Sequence, residues 1–220
     1  HRLTDNSILT VDVNGNISKN AISAGILTPI WTYETNLSTI SAAIDDGELM
    51  LALCHDLGFL SFNLQSVSVM YYNNNTDSTD MVDWDSDGDI WLSYGSGQRK
   101  AIEYDSNGPT GYQSNTISSG FLSFSILASG DLAFGAMDFK VHIYDQDKNL
   151  IRKLSGPNSY ISTLYEDSSN NLLVGSGNGK IYHYDALSWA GTTLDLQTNA
   201  AVTYITDYSD SYFVGTSQDE

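Results

Sequence analysis

Three columns of residues recur along this chain at a spacing of 40 positions. The segments LSYGSGQRKAIEYD, LAFGAMDFKVHIYD and LLVGSGNGKIYHYD end at Asp105, Asp145 and Asp185. The recurring columns are Gly95, Gly135, Gly175 and Gly215, then Lys100, Lys140 and Lys180, then Tyr104, Tyr144 and Tyr184. Agreement between three independent columns indicates an internal repeat, and a repeat constrains the fold more than any other feature of the sequence.

Each repeat divides into four short apolar runs separated by turn residues, which we name strands a to d in chain order. In the fourth repeat they are ISTLYE, NLLVG, KIYHYD and TTLDL. Aromatic and β-branched residues bounded by Gly, Asn, Asp and Ser are typical of buried strands. A fainter copy, LALCHDLGFLSFN, places Cys54 in the glycine column. Four strands per 40 residues predict an all-β fold, a β-propeller of four-stranded blades.

The two ends of the chain predict how such a ring closes. SYFVGTSQDE at one end supplies strands a and b, and SILTVDVNGNISKN at the other supplies strands c and d. We expect a single domain over residues 1–220 with five blades, closed by a composite blade from both termini. The predicted blades cover residues 40–73, 80–118, 121–155, 160–197, and 201–216 with 7–19. A segment of a longer ring is the alternative.

The repeats resemble those of known propeller families. LLVGSGNGKIYHYDA is similar to the repeats of WD40-like and quinoprotein-like propellers, with Tyr-Asp in place of the usual Trp-Asp. DSDGDIWLSYG resembles repeats in the propeller sensor domains of some bacterial receptors. The resemblance implies the propeller architecture and adds an extracytoplasmic sensor-type domain to the functions to be considered.

Composition excludes several classes of partner. Asp and Glu number 27 against 9 Lys and Arg, a formal net charge of −18. Nucleic acid and anionic membranes require a basic surface, so neither is an expected partner. No apolar run approaches the length of about 18 residues that a membrane-spanning helix needs, so membrane insertion is not expected. A single cysteine excludes an intrachain disulfide.

The stretch VDWDSDGDIWLSYG begins like a calcium-binding loop, because Asp83, Asp85 and Asp87 alternate before Gly88. The closing ligands are missing, since the EF-hand glutamate position holds Tyr94 and the integrin-type closing aspartate position holds Trp91. Asp, Asn, Ser and Gly also occupy the same place in the other repeats, where they suit a turn between strands a and b. We interpret the stretch as a turn and expect no metal or other cofactor, with weak calcium binding as the alternative.

Binding residues are predicted on two rims. The turns between strands a and b and between strands c and d share one rim and carry most of the acidic residues. Asn20–Thr35 lies outside the repeat, as a long excursion with Trp31 and Tyr33, and long excursions often carry function. The predicted binding residues are Trp31, Tyr33, Arg99, Lys100, Lys140 and Lys180, all towards the other rim. The repeated tyrosines and the scattered histidines are interpreted as packing residues.

These features favour a non-catalytic binding or scaffold propeller that presents rim loops to a protein or peptide partner. A carbohydrate-binding, lectin-like propeller and a sensor-type ligand-binding domain are the alternatives. A glycosidase-like enzyme is disfavoured, because such propellers use carboxylates in the central channel and here the acids lie at turns. We therefore do not expect an enzyme.

Overall fold

The computed structural model describes residues 1–44, 49–55, 58–73, 79–85, 87–94, 100–105, 108–113, 120–208 and 211–217. These residues form β-strands joined by turns, and no helix occurs among them, so the all-β prediction is confirmed. It follows that this part of the chain has no helix long and apolar enough to cross a membrane. The chain divides into two compact units, residues 1–96 with 101–113 and residues 97–100 with 114–220.

The first unit contains three antiparallel sheets whose strands follow one another in chain order. The first sheet holds β1 (Ile8–Val11), β2 (Asn16–Ser23) and β3 (Ile26–Glu34). The second holds β4 (Thr39–Ile44), β5 (Met50–His55), β6 (Gly58–Asn63) and β7 (Ser68–Asn73). The third holds β8 (Thr79–Trp84), β9 (Ile90–Tyr94), β10 (Lys100–Asp105) and β11 (Gly108–Gln113).

The second unit repeats this pattern. Its first sheet holds β12 (Phe121–Ile126), β13 (Leu132–Ala136), β14 (Val141–Tyr144) and β15 (Leu150–Leu154). Its second holds β16 (Ile161–Glu166), β17 (Leu172–Ser176), β18 (Lys180–Tyr184) and β19 (Gly191–Asp195). The third sheet has two strands, β20 (Val202–Tyr208) and β21 (Ser211–Thr216). The repeat of four strands a to d is therefore present in four of the sheets described.

Residues 20–34 differ from the sequence-based expectation of a long link outside the repeat. They extend β2 and form β3, so the excursion is a β-hairpin paired along its whole length. Its two-residue turn has positive φ at Ala24 (51°) and Gly25 (78°), as a type I′ turn requires. The sequence signal was the pair Ala-Gly between two apolar runs, which the long spacing obscured.

The glycine column marks a close approach between neighbouring sheets of the second unit. A Cβ atom placed on Gly135 would lie 2.5 Å from Ile161 Cγ2, and one on Gly175 would lie 2.8 Å from Val202 Cγ1. Ile161 and Val202 are fully buried and each begins strand a of the following sheet. Ser123 and Thr163, on strand a of the same sheet, lie closer still to these two Cβ positions. Glycine therefore recurs in strand b because strand a of its own sheet and strand a of the next sheet together leave no room for a side chain.

Each described strand a carries a β-bulge at the same place, opposite Gly135, Gly175, Gly215 and Cys54. In the sheet of β8–β11 the bulge lies opposite Ser93, so the assignment of Gly95 to the glycine column was wrong. The register shifts lie between Thr39 and Ser41, Thr79 and Met81, Phe121 and Ser123, Ile161 and Thr163, and Val202 and Tyr204. A bulge adds one residue to one strand and bends it. In β16 the residue at the bulge, Ser162, donates its hydroxyl to the carbonyl oxygen of Val202 at 2.5 Å, which ties strand a to strand a of the next sheet.

We expect Gly175→Ala to lower the free energy of unfolding by about 1–3 kcal/mol, the usual cost of overpacking a core. The added methyl group would be forced against Thr163 of the same sheet and against Val202 of the next sheet. Truncating Val202 should relieve part of the conflict, so Gly175→Ala/Val202→Ala should be less destabilised than the sum of the two single variants. Urea unfolding of the four proteins measures this coupling. Strict additivity would show that the glycine is not required by the neighbouring sheet.

Candidate functional site

The base of the β2–β3 hairpin is anchored in the core of the first unit. The Tyr33 ring lies 4.8 Å from the Phe62 ring, and the Trp31 ring lies 6.2 Å from it. Both pack on a cluster that includes the fully buried Ile17. The two predicted contact residues therefore stabilise the hairpin, which the sequence could not show because their packing partner lies about 30 residues away.

Trp31 also lines a cleft at the surface of the first unit. Its side chain is half-buried, and the cleft, of about 430 Å³, is also lined by Lys19 and Asp5. Lys19 Nζ lies 2.7 Å from an Asp5 carboxylate oxygen. Hydrogen bonds from Lys19 and Ser7 hold the pKa of Asp5 well below its usual range. The cleft thus combines the indole ring of Trp31 with an ion pair in which Lys19 and Asp5 neutralise each other.

The tip of the hairpin is exposed and apolar. Ile26 is 65% exposed, and Ile22, Leu27 and Ile30 are each between 44% and 56% exposed. Ile22 and Leu27 are direct cross-strand partners, so their side chains lie on the same face. Residues 20–33 contain no charged residue, although the chain as a whole is strongly acidic. Ile26 pairs with Ser23 and lies on the other face, so both faces of the tip expose apolar side chains, as interaction surfaces do.

The structure describes only part of the predicted basic group. Arg99 lies outside the described residues, and Lys100 begins β10 but its side chain lies outside the description. Lys180 Nζ lies 3.4 Å from Asp195 on the paired strand β19, so its charge has an acidic partner. Lys140 precedes β14 and its side chain is half-buried. These lysines keep the repeat register, but as binding residues they stay a prediction.

The acidic turns share one backbone geometry. In each turn the first residue donates its N–H to the fifth carbonyl, and the fourth N–H donates to the first carbonyl. The turns are Asp12–Asn16, Asp85–Asp89, Leu127–Asp131, Asp145–Asn149 and Asp167–Asn171. The fourth residue has a positive φ in all of them, as in a type I turn closed by a glycine-type bulge.

Aspartate at the first position adds side-chain bonds to this turn. Asp12 accepts from the backbone N–H groups of Asn14 and Asn16, each at 2.9 Å. Asp167 accepts from Ser169 and Asn171 in the same way. The bonds from Asn16 lower the pKa of Asp12. Burial alone would raise the pKa of Asp167. Hydrogen bonds from Tyr212, Asn171 and Ser169 outweigh burial, so the pKa of Asp167 is lowered as well. The aspartates at these turns therefore have a structural role.

Asp85 fits this turn geometry as well. One of its carboxylate oxygens accepts from the N–H groups of Asp87 and Asp89 at 3.0 and 2.9 Å. The other accepts from the indole N–H of Trp91, which is fully buried, at 2.9 Å. Asp83 accepts from the N–H of Trp84. The interpretation of this stretch as a turn accounts for the contacts that Asp85 makes.

The carboxylates that approach one another most closely differ from the predicted set. Asp85, Asp89 and Glu103 each offer an oxygen within 4.8 Å of the others. Burial raises the pKa of Asp89, and the neighbouring charges of Asp85 and Glu103 raise it further. A divalent cation would relieve this repulsion, but both oxygens of Asp85 already accept hydrogen bonds. Sequence reasoning missed Glu103 because it lies on β10, two strands away from the turn.

The second unit has a cleft on its own acidic edge. Leu127, Glu166 and Trp189 line a space of about 430 Å³, together with Leu187, which is 94% exposed. The Arg152 guanidinium lies 5.5 Å from the centroid of the Trp189 ring. Burial raises the pKa of Glu166. Apolar side chains and the Glu166 carboxylate are therefore adjacent at this edge.

Two of the repeated tyrosines, Tyr104 and Tyr184, and the histidine His142 are buried packing residues. Tyr104 is 6% exposed and its ring lies 4.8 Å from Phe59, and Tyr184 is 3% exposed. His142 is buried beside Asp138, with 3.0 Å between its Nε2 atom and the carboxylate. The packing interpretation is confirmed for these residues.

Comparisons with known proteins identify the fold but no family. No protein-family model matches the sequence, and no curated protein matches it. Among solved structures, the chain is similar to one in a crystal structure of a mitotic checkpoint complex, with a TM-score of 0.66 and 16% identity. The match covers 90% of this chain and 68% of that chain. At this identity the likeness concerns the fold alone. Together with the series of small antiparallel sheets, it is consistent with a propeller-like fold.

We expect Asp85→Ala to lower the free energy of unfolding by about 1–3 kcal/mol, because it leaves buried or turn N–H donors without their acceptor. The loss should be the same with and without about 1 mM calcium, a concentration that saturates sensor-type sites. Thermal unfolding of wild type and variant measures it. A rise of many degrees in the wild-type melting temperature with calcium, abolished in the variant, would establish a metal site instead.

Proposed function

We propose that this chain is a non-catalytic binding propeller that presents the β2–β3 hairpin to a protein or peptide. The supporting observation is the exposed, uncharged tip of a hairpin that is added to an otherwise regular repeat. The base of this hairpin packs on Phe62, so the tip is held by a rigid scaffold. The similar chain in the mitotic checkpoint complex belongs to a protein assembly, which agrees with a role in protein interaction.

The partner surface should be apolar and its binding nearly independent of salt. The tip offers Ile22, Ile26, Leu27 and Ile30 and no charged residue, so burial of apolar area provides the binding free energy. Screening by salt acts on exposed charges and leaves such a contact unchanged. A contact through the acidic turns would have the opposite property.

The alternatives have less support. A lectin-like ladder of repeated aromatic rings requires rings open to solvent, whereas Tyr104 and Tyr184 are buried. A glycosidase requires a pair of carboxylates directed at substrate, whereas Asp12, Asp85 and Asp167 accept hydrogen bonds within their own turns. We therefore place the binding surface on the hairpin, and we assign the aspartates of the turns a structural role.

We further propose five blades, the last one combining residues 201–216 with 7–19. The support is that β20 and β21 have the sequence of strands a and b, and that β1 and β2, which have the sequence of strands c and d, are joined by the turn that recurs between strands of the repeat. The turn from Asp12 to Asn16 matches the turn from Asp145 to Asn149: the first N–H donates to the fifth carbonyl at 3.1 and 3.0 Å. In both, the asparagine amide also donates to the aspartate carboxylate.

The register of the fourth repeat predicts a cross-link for this composite blade. Leu173 pairs with His183 there, and the equivalent positions are Phe213 and Thr10. We expect Thr10→Cys/Phe213→Cys to form an intramolecular disulfide on mild oxidation, since directly opposite strand positions meet its geometric demands. Non-reducing electrophoresis with mass spectrometry detects the bond. The pair Thr32→Cys/Phe213→Cys, placed on β3, serves as the control and should not form it. Cross-linking between molecules only, or none, would favour a segment of a longer ring.

Hairpin function is tested by selecting peptides from a random display library on the wild-type protein. We expect selected peptides to bind Ile26→Ser/Leu27→Ser at least about tenfold more weakly, because the double variant removes an exposed apolar side chain from each face of the tip. Val13→Ser and Leu187→Ser, which alter side chains 75% and 94% exposed elsewhere, should bind normally. Trp31→Ala is a poorer test because Trp31 also packs on Phe62. Peptides that bind the hairpin variant as tightly as the wild type, but dissociate at moderate salt concentration, would place the site on the acidic turns.

A further inference from the structure

The first unit contains a cavity that the hairpin does not use. It has a volume of about 280 Å³ and lies between the sheet of β4–β7 and the sheet of β8–β11. Its lining is mainly apolar and includes Phe59, Trp84, Tyr104, Met50, Met70 and Asp105. A concave, largely apolar space with few polar groups is the usual form of a small-ligand site.

The aromatic walls of this cavity are fixed in place. Phe59 is 1% exposed, and its ring stands against Tyr104 at 4.8 Å with an interplanar angle of 63°. Trp84 donates its indole N–H to the carbonyl oxygen of Ala43 at 3.1 Å, which sets the orientation of its ring. Three rings held by packing and hydrogen bonding form the space before any ligand arrives.

The cavity also opens to solvent. Met70 lines it and is 60% exposed. Gly88 lines it too, and a Cβ atom placed on Gly88 would meet nothing within 4 Å. A ligand therefore has a path past these two residues without displacing part of the core.

The surroundings of the cavity are negatively charged. Asp105 is part of the lining, and no basic side chain is among the lining residues that the structure describes. Asp105, Asp85 and Glu103 all act on Asp89 as like charges and raise its pKa. An anionic ligand would meet this repulsion, whereas a cation would reduce it.

We propose that this cavity binds an alkylammonium group, with the cation against the rings of Phe59, Trp84 and Tyr104 and near the Asp105 carboxylate. Aromatic rings present a negative face, and ammonium groups that bear methyl substituents bind such faces well because they are weakly hydrated. The apolar lining accepts the attached carbon chain. The group has two sources with the same chemistry, a free small molecule or the methylated side chain of a peptide lysine.

The probe pair is choline and 3,3-dimethyl-1-butanol, which has the same shape without the charge. We expect choline to shift the amide resonances of residues around the cavity, with an affinity at least about tenfold higher than that of the uncharged probe, as a cation held by aromatic rings and a carboxylate requires. Equal affinity of the two probes, or no shift with choline, would overturn the proposal.

Charge variants locate the site without disturbing the core. Asp105→Asn should weaken choline binding severalfold and leave the uncharged probe unaffected. Asp145→Asn is the matched control, because Asp145 holds the same repeat position 40 residues further on and does not line the cavity. At the exposed mouth, Met70→Lys should weaken choline binding and Met70→Gln should not. Equal effects of Asp105→Asn and Asp145→Asn would show that the overall negative charge, rather than the cavity, attracts the probe.

A peptide with trimethyllysine separates the two sources. Binding at least about tenfold tighter than that of choline would assign the site to a modified lysine, and equal or weaker binding would assign it to a free amine; a tenfold ratio corresponds to about 1.4 kcal/mol. Ile26→Ser/Leu27→Ser should leave choline binding unchanged. The cavity proposal can therefore fail or succeed independently of the hairpin.

Discussion

The close approach between one sheet and strand a of the next is the contact on which the rest of this fold depends. In the second unit, Gly135 and Gly175 leave room for Ile161 and Val202, and the bulge in each strand a accompanies this approach. A four-stranded sheet of this size cannot cover both of its faces, so each one is stabilised by its neighbour. The repeat follows from this requirement, because each strand b must present a small residue at this place: glycine in three sheets, and Cys54 and Ser93 in the other two.

This contact explains how far the sequence predicts the fold. The glycine and tyrosine columns indicate the strands, because close packing limits which residues fit. The bulges could not be predicted, since the extra residues in the five strands, Ile40, Asp80, Leu122, Ser162 and Thr203, share no residue type. The sequence located an excursion at residues 20–35 but did not predict that it forms a hairpin, and the choice of Trp31 and Tyr33 as its contact residues stays a prediction. Exposure depends on tertiary contacts, and Phe62 covers those rings while the tip remains uncovered.

Turn chemistry separates the acidic character of the chain from its binding surfaces. Asp12 and Asp167 satisfy N–H groups of their own turns, so much of the negative charge stabilises the ends of strands. Two places depart from this pattern: the uncharged hairpin tip, which is an addition to the repeat, and the cavity beside Asp105, where aromatic walls and carboxylates meet. A regular scaffold with local departures is the usual way in which repeat folds acquire different binding functions.

Native-state hydrogen exchange of Gly175→Ala tests the central claim most directly, because it reports the opening of each strand separately. If neighbouring sheets stabilise each other through this contact, the substitution in β17 will accelerate exchange in β16–β19 and also in β20–β21, while β12–β15 changes less. Faster exchange confined to β17 and its paired strands would contradict the account and show that each sheet is stable without its neighbour.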